Sequence, residues 1–230
     1  MDIHYLGHSC VKLAGESTTV LIDPFLTGSS TAPCTWEDAA SGTTHVLLTH
    51  GHGDHVGDTV QITKKQSIPA VAMVEVAAWL SQNGVAQTIE GNYGGTIHLG
   101  QGASVTFVPA WHTSSMPDGS SGGSPAGLVI TLDGHTVYHA GDTAIFSDMA
   151  LINELYAPQT VMLPVGGTYT MDAKTAAIAA HKYFPTAKHL IPLHYATFPV
   201  LAPSATEFVT ECASRGLTAT ALKPGEILSL

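Results

Sequence analysis

The run Thr49-His50-Gly51-His52-Gly53-Asp54-His55 constrains this chain more than any other stretch. It sets four imidazole or carboxylate donors within six residues, directly after the apolar run His45-Val46-Leu47-Leu48. Side chains of an extended backbone alternate with a period of two, so His50 and His52 point the same way. Gly51 and Gly53 are expected to let the backbone turn so that Asp54 and His55 face the same spot. The chain holds 13 His among 230 residues, and at its own frequencies chance gives H-x-H-x-D-H roughly two times in a thousand. The spacing therefore reads as metal-ligating, at the end of a strand.

One loop cannot complete two metal shells, so further donors must arrive from other strand ends. Three segments offer them: Val108-Pro109-Ala110-Trp111-His112, Tyr138-His139-Ala140-Gly141-Asp142-Thr143 and Leu190-Ile191-Pro192-Leu193-His194-Tyr195. A lone strand-end His is more often structural or exposed, and it is the conjunction that carries weight. Asp23, in Ile22-Asp23-Pro24, is either an acceptor for the free N–H of a ligand His or a turn-forming Asp. His8 is either near the site or a plain loop residue, and Tyr195 and Thr197 are candidates for substrate contact. His4, His45, His98, His135, His181 and His189 lack a supporting pattern. Trp36, Trp79 and Met162 read as core or partner surface.

The pattern along the chain is α/β. Short β-rich runs (Ile3 to Leu6, Cys10 to Leu13, Thr18 to Ile22, His45 to Leu48) precede helices predicted over Gly57 to Gln66 and Glu75 to Gln82, with a buried strand over Ala70 to Val74 between them. After Gly94-Gly95 come strands over Ser104 to Val108, Gly127 to Leu132 and Thr136 to His139, the last two joined at Asp133-Gly134. Helices (Ser147 to Tyr156, Asp172 to Tyr183, Ala205 to Arg215) then alternate with strands (Thr160 to Leu163, His189 to Ile191). Both halves read as several strands followed by α/β. The Ser/Gly-rich segment Ser114 to Pro125 is expected to be a mobile loop over the substrate.

At 44% hydrophobic residues, 230 residues suffice for one domain spanning 1-230 without disulfides. Cys10, Cys34 and Cys212 are odd in number and lack C-x-x-C spacing, which argues against a thiolate zinc site and reads as small buried hydrophobes. Eight Lys+Arg against 18 Asp+Glu give a net charge of −10, a field that repels polyanions and excludes nucleic acid as a partner. No secretory n-region opens the chain and no apolar run approaches about 18 residues, so no membrane span and a cytoplasmic location are expected. A homo-oligomer stays open.

In order, H-x-H-x-D-H, a single His, G-D-T and a late single His resemble the ligand pattern of the metallo-β-lactamase superfamily. With Tyr5-Leu6-Gly7-His8-Ser9-Cys10 and Pro192-Leu193-His194-Tyr195, the chain looks like its metal-dependent hydrolase branch. That branch is similar to ascorbate-6-phosphate lactonases and more distantly to N-acyl-ethanolamine phospholipases D. The resemblance implies a four-layer αββα sandwich of two similar β-α halves with the site at one rim. It also implies that His50, His52 and His112 hold one metal, that Asp54, His55 and His194 hold the second, and that Asp142 bridges them.

Two such cations lower the pKa of a shared water, supply hydroxide as nucleophile and polarise the substrate. Asp54 is then expected to serve as ligand and as proton shuttle to the leaving group. An all-N/O set makes zinc the first choice and tolerates manganese, iron, nickel or cobalt. The expected substrate is a small or lipid-like ester, lactone or phosphodiester. A non-catalytic metal-dependent binding or scaffold protein is the alternative of another class, opposed by the intact donor set, and a nuclease of the same fold is opposed by the charge.

Overall fold

The computed structural model describes all 230 residues and contains two mixed sheets packed face to face between helices. The first sheet takes β1 (Asp2–Tyr5), β2 (Val11–Ala14) and β3 (Thr19–Ile22) antiparallel, then β4 (His45–Leu47), β5 (Ala70–Met73) and β6 (Thr88–Gly91) in parallel. The second takes β7 (Thr96–Gly100), β8 (Ala103–Pro109), β9 (Ala126–Leu132) and β10 (His135–His139) antiparallel, then β11 (Thr160–Pro164) and β12 (His189–Leu193) in parallel. A closing strand, β13 (Ile227–Ser229), returns to pair with β1. Each half is thus an antiparallel meander that becomes parallel once helices make the crossovers.

Burial follows from this layering. Ile3, Tyr5, Val11 and Leu13, at alternate positions of the meander, meet Val105, Phe107, Leu128 and Ile130 of the other sheet in a core shared by both halves. β5 and β11 are buried at every position because helices cover their outer faces. The helices α1 (Trp36–Ala40), α2 (Gly53–Val56), α3 (Thr59–Gln66) and α4 (Val74–Gln82) flank the first sheet through residues such as Ile62, Val76 and Leu80. The second sheet is flanked by α5 (Met149–Tyr156), α6 (Ala173–Tyr183) and α7 (Thr206–Ala213). Asp172 starts α6 by accepting the Thr175 amide at 2.7 Å. Ala176, Ala177 and Ala180 then let that helix lie close to the strands. The αββα order matches the expected fold class, and no helix is long and apolar enough to cross a membrane.

Three local expectations are corrected. The helix predicted over Gly57 to Gln66 starts at Thr59 instead and is preceded by the separate α2, because Gly57 takes φ 42° and the Asp58 amide turns to the Pro24 carbonyl at 2.9 Å. Neither Gly51 nor Gly53 turns the chain by a positive φ. What Gly51 supplies is room, since a Cβ there would stand 2.5 Å from Met116 Sδ. The segment Ser114 to Pro125 is held down rather than loose: Met116 is 2% exposed in the first half's core. The Ser114 hydroxyl accepts the Gly51 amide at 3.0 Å and donates to Gly122 O at 3.0 Å, and Trp79 Nε1–H donates to Asp118 at 2.8 Å.

Candidate metal centre

Five strand ends converge on one rim. Asp23 follows β3, His50 to His55 follow β4, His112 follows β8, Asp142 follows β10 and His194 follows β12. The backbone is forced there: His8 (φ 53°), Asp23 (φ 44°) and His194 (φ 57°) all adopt the left-handed conformation that β-carbons disfavour. Each such residue costs of order 1–3 kcal/mol. Two of these turns are tied together, the His194 amide donating to His8 O at 2.8 Å. The fold therefore holds these side chains in place against their local preference.

All seven expected donors come together, in overlapping groups. His50, His52 and His112 bring one donor atom each to within 4.8 Å of one another, as do His50, His55 and Asp142. So do Asp54, His55 and His194, with His8 as a fourth member. Asp142 Oδ2 touches both sides, at 3.4 Å from His55 Nε2, 3.6 Å from His112 Nε2 and 3.1 Å from His194 Nε2. Its Oδ1 and the Nε2 of His55 are buried without a hydrogen-bond partner. A buried polar atom left unpaired costs about 1–3 kcal/mol. Unpaired lone pairs aimed into a ring of N and O donors are what a divalent cation would satisfy, so the residues fit such an ion.

Asp23 organises two of these histidines from behind. Its Oδ2 accepts His55 Nδ1–H at 2.7 Å and the Thr49 hydroxyl at 2.6 Å, while its Oδ1 accepts the Thr49 amide at 2.9 Å. The Thr49 oxygen, its proton given to Asp23, is free to accept His50 Nδ1–H at 3.0 Å. In the neutral rings this order of donors leaves the Nε2 of both His50 and His55 as the free lone pair facing the rim. Thr49 was passed over in the sequence because it ligates nothing. Its position between the strand and the first His was the signal.

The electrostatics suit cation binding. Burial, reinforced by neighbouring imidazoles, pushes His50 well below its ordinary pKa, and burial likewise lowers His52 and His112. These rings are neutral donors at pH 7. Burial also opposes charge on His55, but the carboxylates of Asp142 and Asp23 outweigh it and raise that ring well above its ordinary value. The same carboxylates would favour a cation beside it. Asp142 and Asp54 are pushed up by burial, yet the surrounding His rings prevail and hold both carboxyls below their usual range.

His8 settles on the near-site alternative. Its Nε2 lies 3.1 Å from Asp54 Oδ2 and its Nδ1 2.9 Å from Thr197 Oγ1, and burial lowers its pKa to about 4. Thr197 thus reaches the site through His8. Tyr195 does not: the left-handed turns at His194 and Ala196 swing it away, its hydroxyl donates to Leu222 O at 3.2 Å, and it lines a separate cavity. His139, given no role from the sequence, is fully buried behind the Asp142 turn, with Nε2 3.0 Å from Ser9 O and Nδ1 accepting the Gly141 amide at 3.2 Å. Cys10 and Cys212 are buried and Cys34 is half-buried, all three with free thiols. A cavity of about 370 Å³ opens over the centre, lined by His52, Asp54, His112, Thr113, Asp142, His194 and Tyr169. Tyr169, on the turn before α6, carried no sequence signal.

This fold and rim define a class. Residues 18–195 match the beta-lactamase superfamily domain, and the chain belongs to that superfamily. It is one of the superfamily's metal-dependent hydrolases, similar over its whole length to a UPF0173 metal-dependent hydrolase of Agrobacterium fabrum (44% identical over 235 residues, covering 100% of both chains). A UPF0173 relative from Thermus thermophilus is 41% identical over 230 residues, covering 100% of this chain and 99% of the other. Among solved structures, Igni18, a metallo hydrolase from the archaeon Ignicoccus hospitalis, superposes with a TM-score of 0.89 at 35% identity, covering 99% and 97% of the two chains.

Proposed function

We propose that the rim binds two divalent cations and hydrolyses a small or lipid-like ester, lactone or phosphodiester. His50, His52 and His112 would hold one ion, Asp54, His55 and His194 the other, with Asp142 shared between them. The observation that carries this is the Asp142 carboxylate, which lies within 3.6 Å of ring nitrogens from both groups. Zinc leads, with manganese, iron, nickel and cobalt compatible with N/O donors. Bound together, two such ions supply Lewis acidity and a nucleophile from water near neutral pH.

The chain's own residues do the rest. Asp23 and Thr49 fix the tautomers of His55 and His50, so that their Nε2 atoms stay available. Asp54 faces the cavity from the open side, its side chain 25% exposed. Its carboxylate is ionised at neutral pH and able to carry a proton to a departing oxygen. His8 holds it there. The charge of −10 opposes a polyanionic substrate and weighs against a nuclease.

The test is elemental analysis of protein purified without added metal. Assays with zinc or manganese restored would then use lactones, p-nitrophenyl esters, bis-p-nitrophenyl phosphate, a β-lactam, RNA and single-stranded DNA. Two metals per chain and turnover of an ester, lactone or phosphodiester are expected. Saturation at one metal, or efficient nucleic-acid cleavage above about 10⁴ M⁻¹s⁻¹ in kcat/KM, would overturn the reading.

A further inference from the structure

Beside the metal-site cavity lies a second hollow of about 550 Å³, which shares Asp54 and Tyr169 with it. Its remaining walls are Phe25, Phe198 and Val200. Phe25 and Phe198 stack at 6.2 Å between centroids, and each meets the His8 ring edge-on, at 5.8 and 5.6 Å. The apolar wall is thus fastened to the residue that binds Asp54.

Its loops are braced as well. Asp58, buried, accepts the amides of Leu26 at 3.1 Å and Thr27 at 2.8 Å, just after Phe25. Thr168 Oγ1 donates to Val200 O at 2.9 Å, and the Ala202 amide donates to Gly166 O at 2.9 Å. Tyr169 is nevertheless 61% exposed and Val200 55%. Exposed apolar groups on a braced frame at the edge of a reaction centre mark a binding surface.

Charge narrows what that surface accepts. None of the eight Lys and Arg lines this hollow, the metal-site cavity or the hollow on the far side of His112. An anionic group carried away from the scissile bond would meet phenyl rings, Val200 and the carboxylate of Asp54, with no counter-ion. Burying such a charge unpaired is costly. The phosphorylated lactone implied by family resemblance is therefore a poor fit.

We propose that the substrate is uncharged outside its scissile group and carries an alkyl or aryl arm that lies between Phe25, Phe198, Tyr169 and Val200. This rests on the hydrolase reading above. A full groove would strengthen binding by about fourfold for each buried methylene, and a half-open one by less.

The test uses metal-loaded protein and hydroxamates, which bind metal through a head group common to the series, with affinities read by calorimetry. Hexanohydroxamate is expected to bind at least about tenfold tighter than acetohydroxamate. The adipic mono-hydroxamate, of similar length with a terminal carboxylate, is expected to lose that gain. Val200→Asp, at an exposed position that does not threaten folding, and Phe198→Ala should each collapse the hexano-to-aceto ratio. Acetohydroxamate binding with no length dependence, or equal affinity for the charged arm, overturns the groove while leaving the metal centre standing. A chain that takes up no metal and binds no hydroxamate overturns both.

Discussion

Asp23 Oδ2 accepts the Nδ1–H of His55 at 2.7 Å while also accepting the Thr49 hydroxyl at 2.6 Å. One carboxylate oxygen therefore orients two imidazoles, His55 directly and His50 through Thr49. Asp23→Asn keeps the side-chain volume and tolerates φ 44°, a conformation that Asn adopts readily. It replaces one acceptor oxygen with a donor, so one of the three bonds must break. Metal affinity should drop about 10- to 100-fold with the circular dichroism spectrum retained. A chelator-competition titration checks this, and an affinity within twofold of the parent protein would show that Asp23 only shapes its turn.

Asp54 sits at the start of the short helix α2, on the rim, and contributes nothing to either core. Compared metal-free, Asp54→Ala should unfold at nearly the parent temperature, yet with metal restored it should lose about 10²- to 10⁴-fold in kcat on any confirmed substrate. If the variant keeps more than roughly a tenth of kcat, the ligand and proton-carrier role is wrong. His8→Ala should reproduce part of the loss, because it removes the 3.1 Å contact that holds the carboxylate.

The candidate donor positions were legible because each sits where an apolar run stops, and strand ends of two facing sheets must share a rim. The short edge elements were not. β6, β7 and β13 hold only half-buried or exposed positions apart from Leu99, so they lack the continuous apolar runs that marked β5 and β11. The five-residue α1 is too short to display a helical period. The segment Ser114 to Pro125 misled for the opposite reason. Its Ser and Gly content signals flexibility, yet one apolar residue, Met116, fits the space that Gly51 leaves and pins it. Tyr169, Phe25 and Phe198 come from three separate loops, and only the fold puts them side by side.

That pinning has a measurable size. Met116→Ala should cost about 2–5 kcal/mol in denaturant unfolding, the range for emptying a buried Met position. It should also open the 117–121 tip to limited proteolysis. A loss under about 0.5 kcal/mol, the size of an ordinary surface change, would mean that the segment floats free of the core.

His139 ties acid sensitivity to the Asp142 turn. It needs a proton on Nε2 for Ser9 O and a bare Nδ1 for the Gly141 amide, so only the neutral ring satisfies both. Burial lowers its pKa from the ordinary 6.5, which leaves the unfolded chain binding more protons below that value. Its share of stability is therefore complete above about pH 6.5 and falls as the pH drops toward the lowered folded value. The metal-free protein should lose stability between pH 7 and 5.5, and His139→Gln should make that slope shallower by at most about 1.4 kcal/mol per pH unit. The other buried His residues contribute equally to both proteins and cancel. Parallel slopes in urea titrations would remove His139 from the account.

Metal removal tests the centre as a whole. Without a cation, Asp142 Oδ1 and His55 Nε2 are buried and unpaired, and a ligand that binds only the folded state adds RT ln(1 + [L]/Kd) to its stability. At a free metal concentration about 1,000 times Kd this is about 4 kcal/mol, or on the order of 10 °C in Tm for a chain of this length. Chelator should lower Tm by that amount, and added zinc should restore it with a break at two equivalents. Asp142→Ala removes the carboxylate that touches both groups, so it should weaken both sites together rather than abolish one. Calorimetric titration of that variant distinguishes the cases. Retention of one site at full affinity would show that Asp142 belongs to a single ion, and a Tm indifferent to chelator in protein shown to be metal-free would remove the cation from the folded structure altogether.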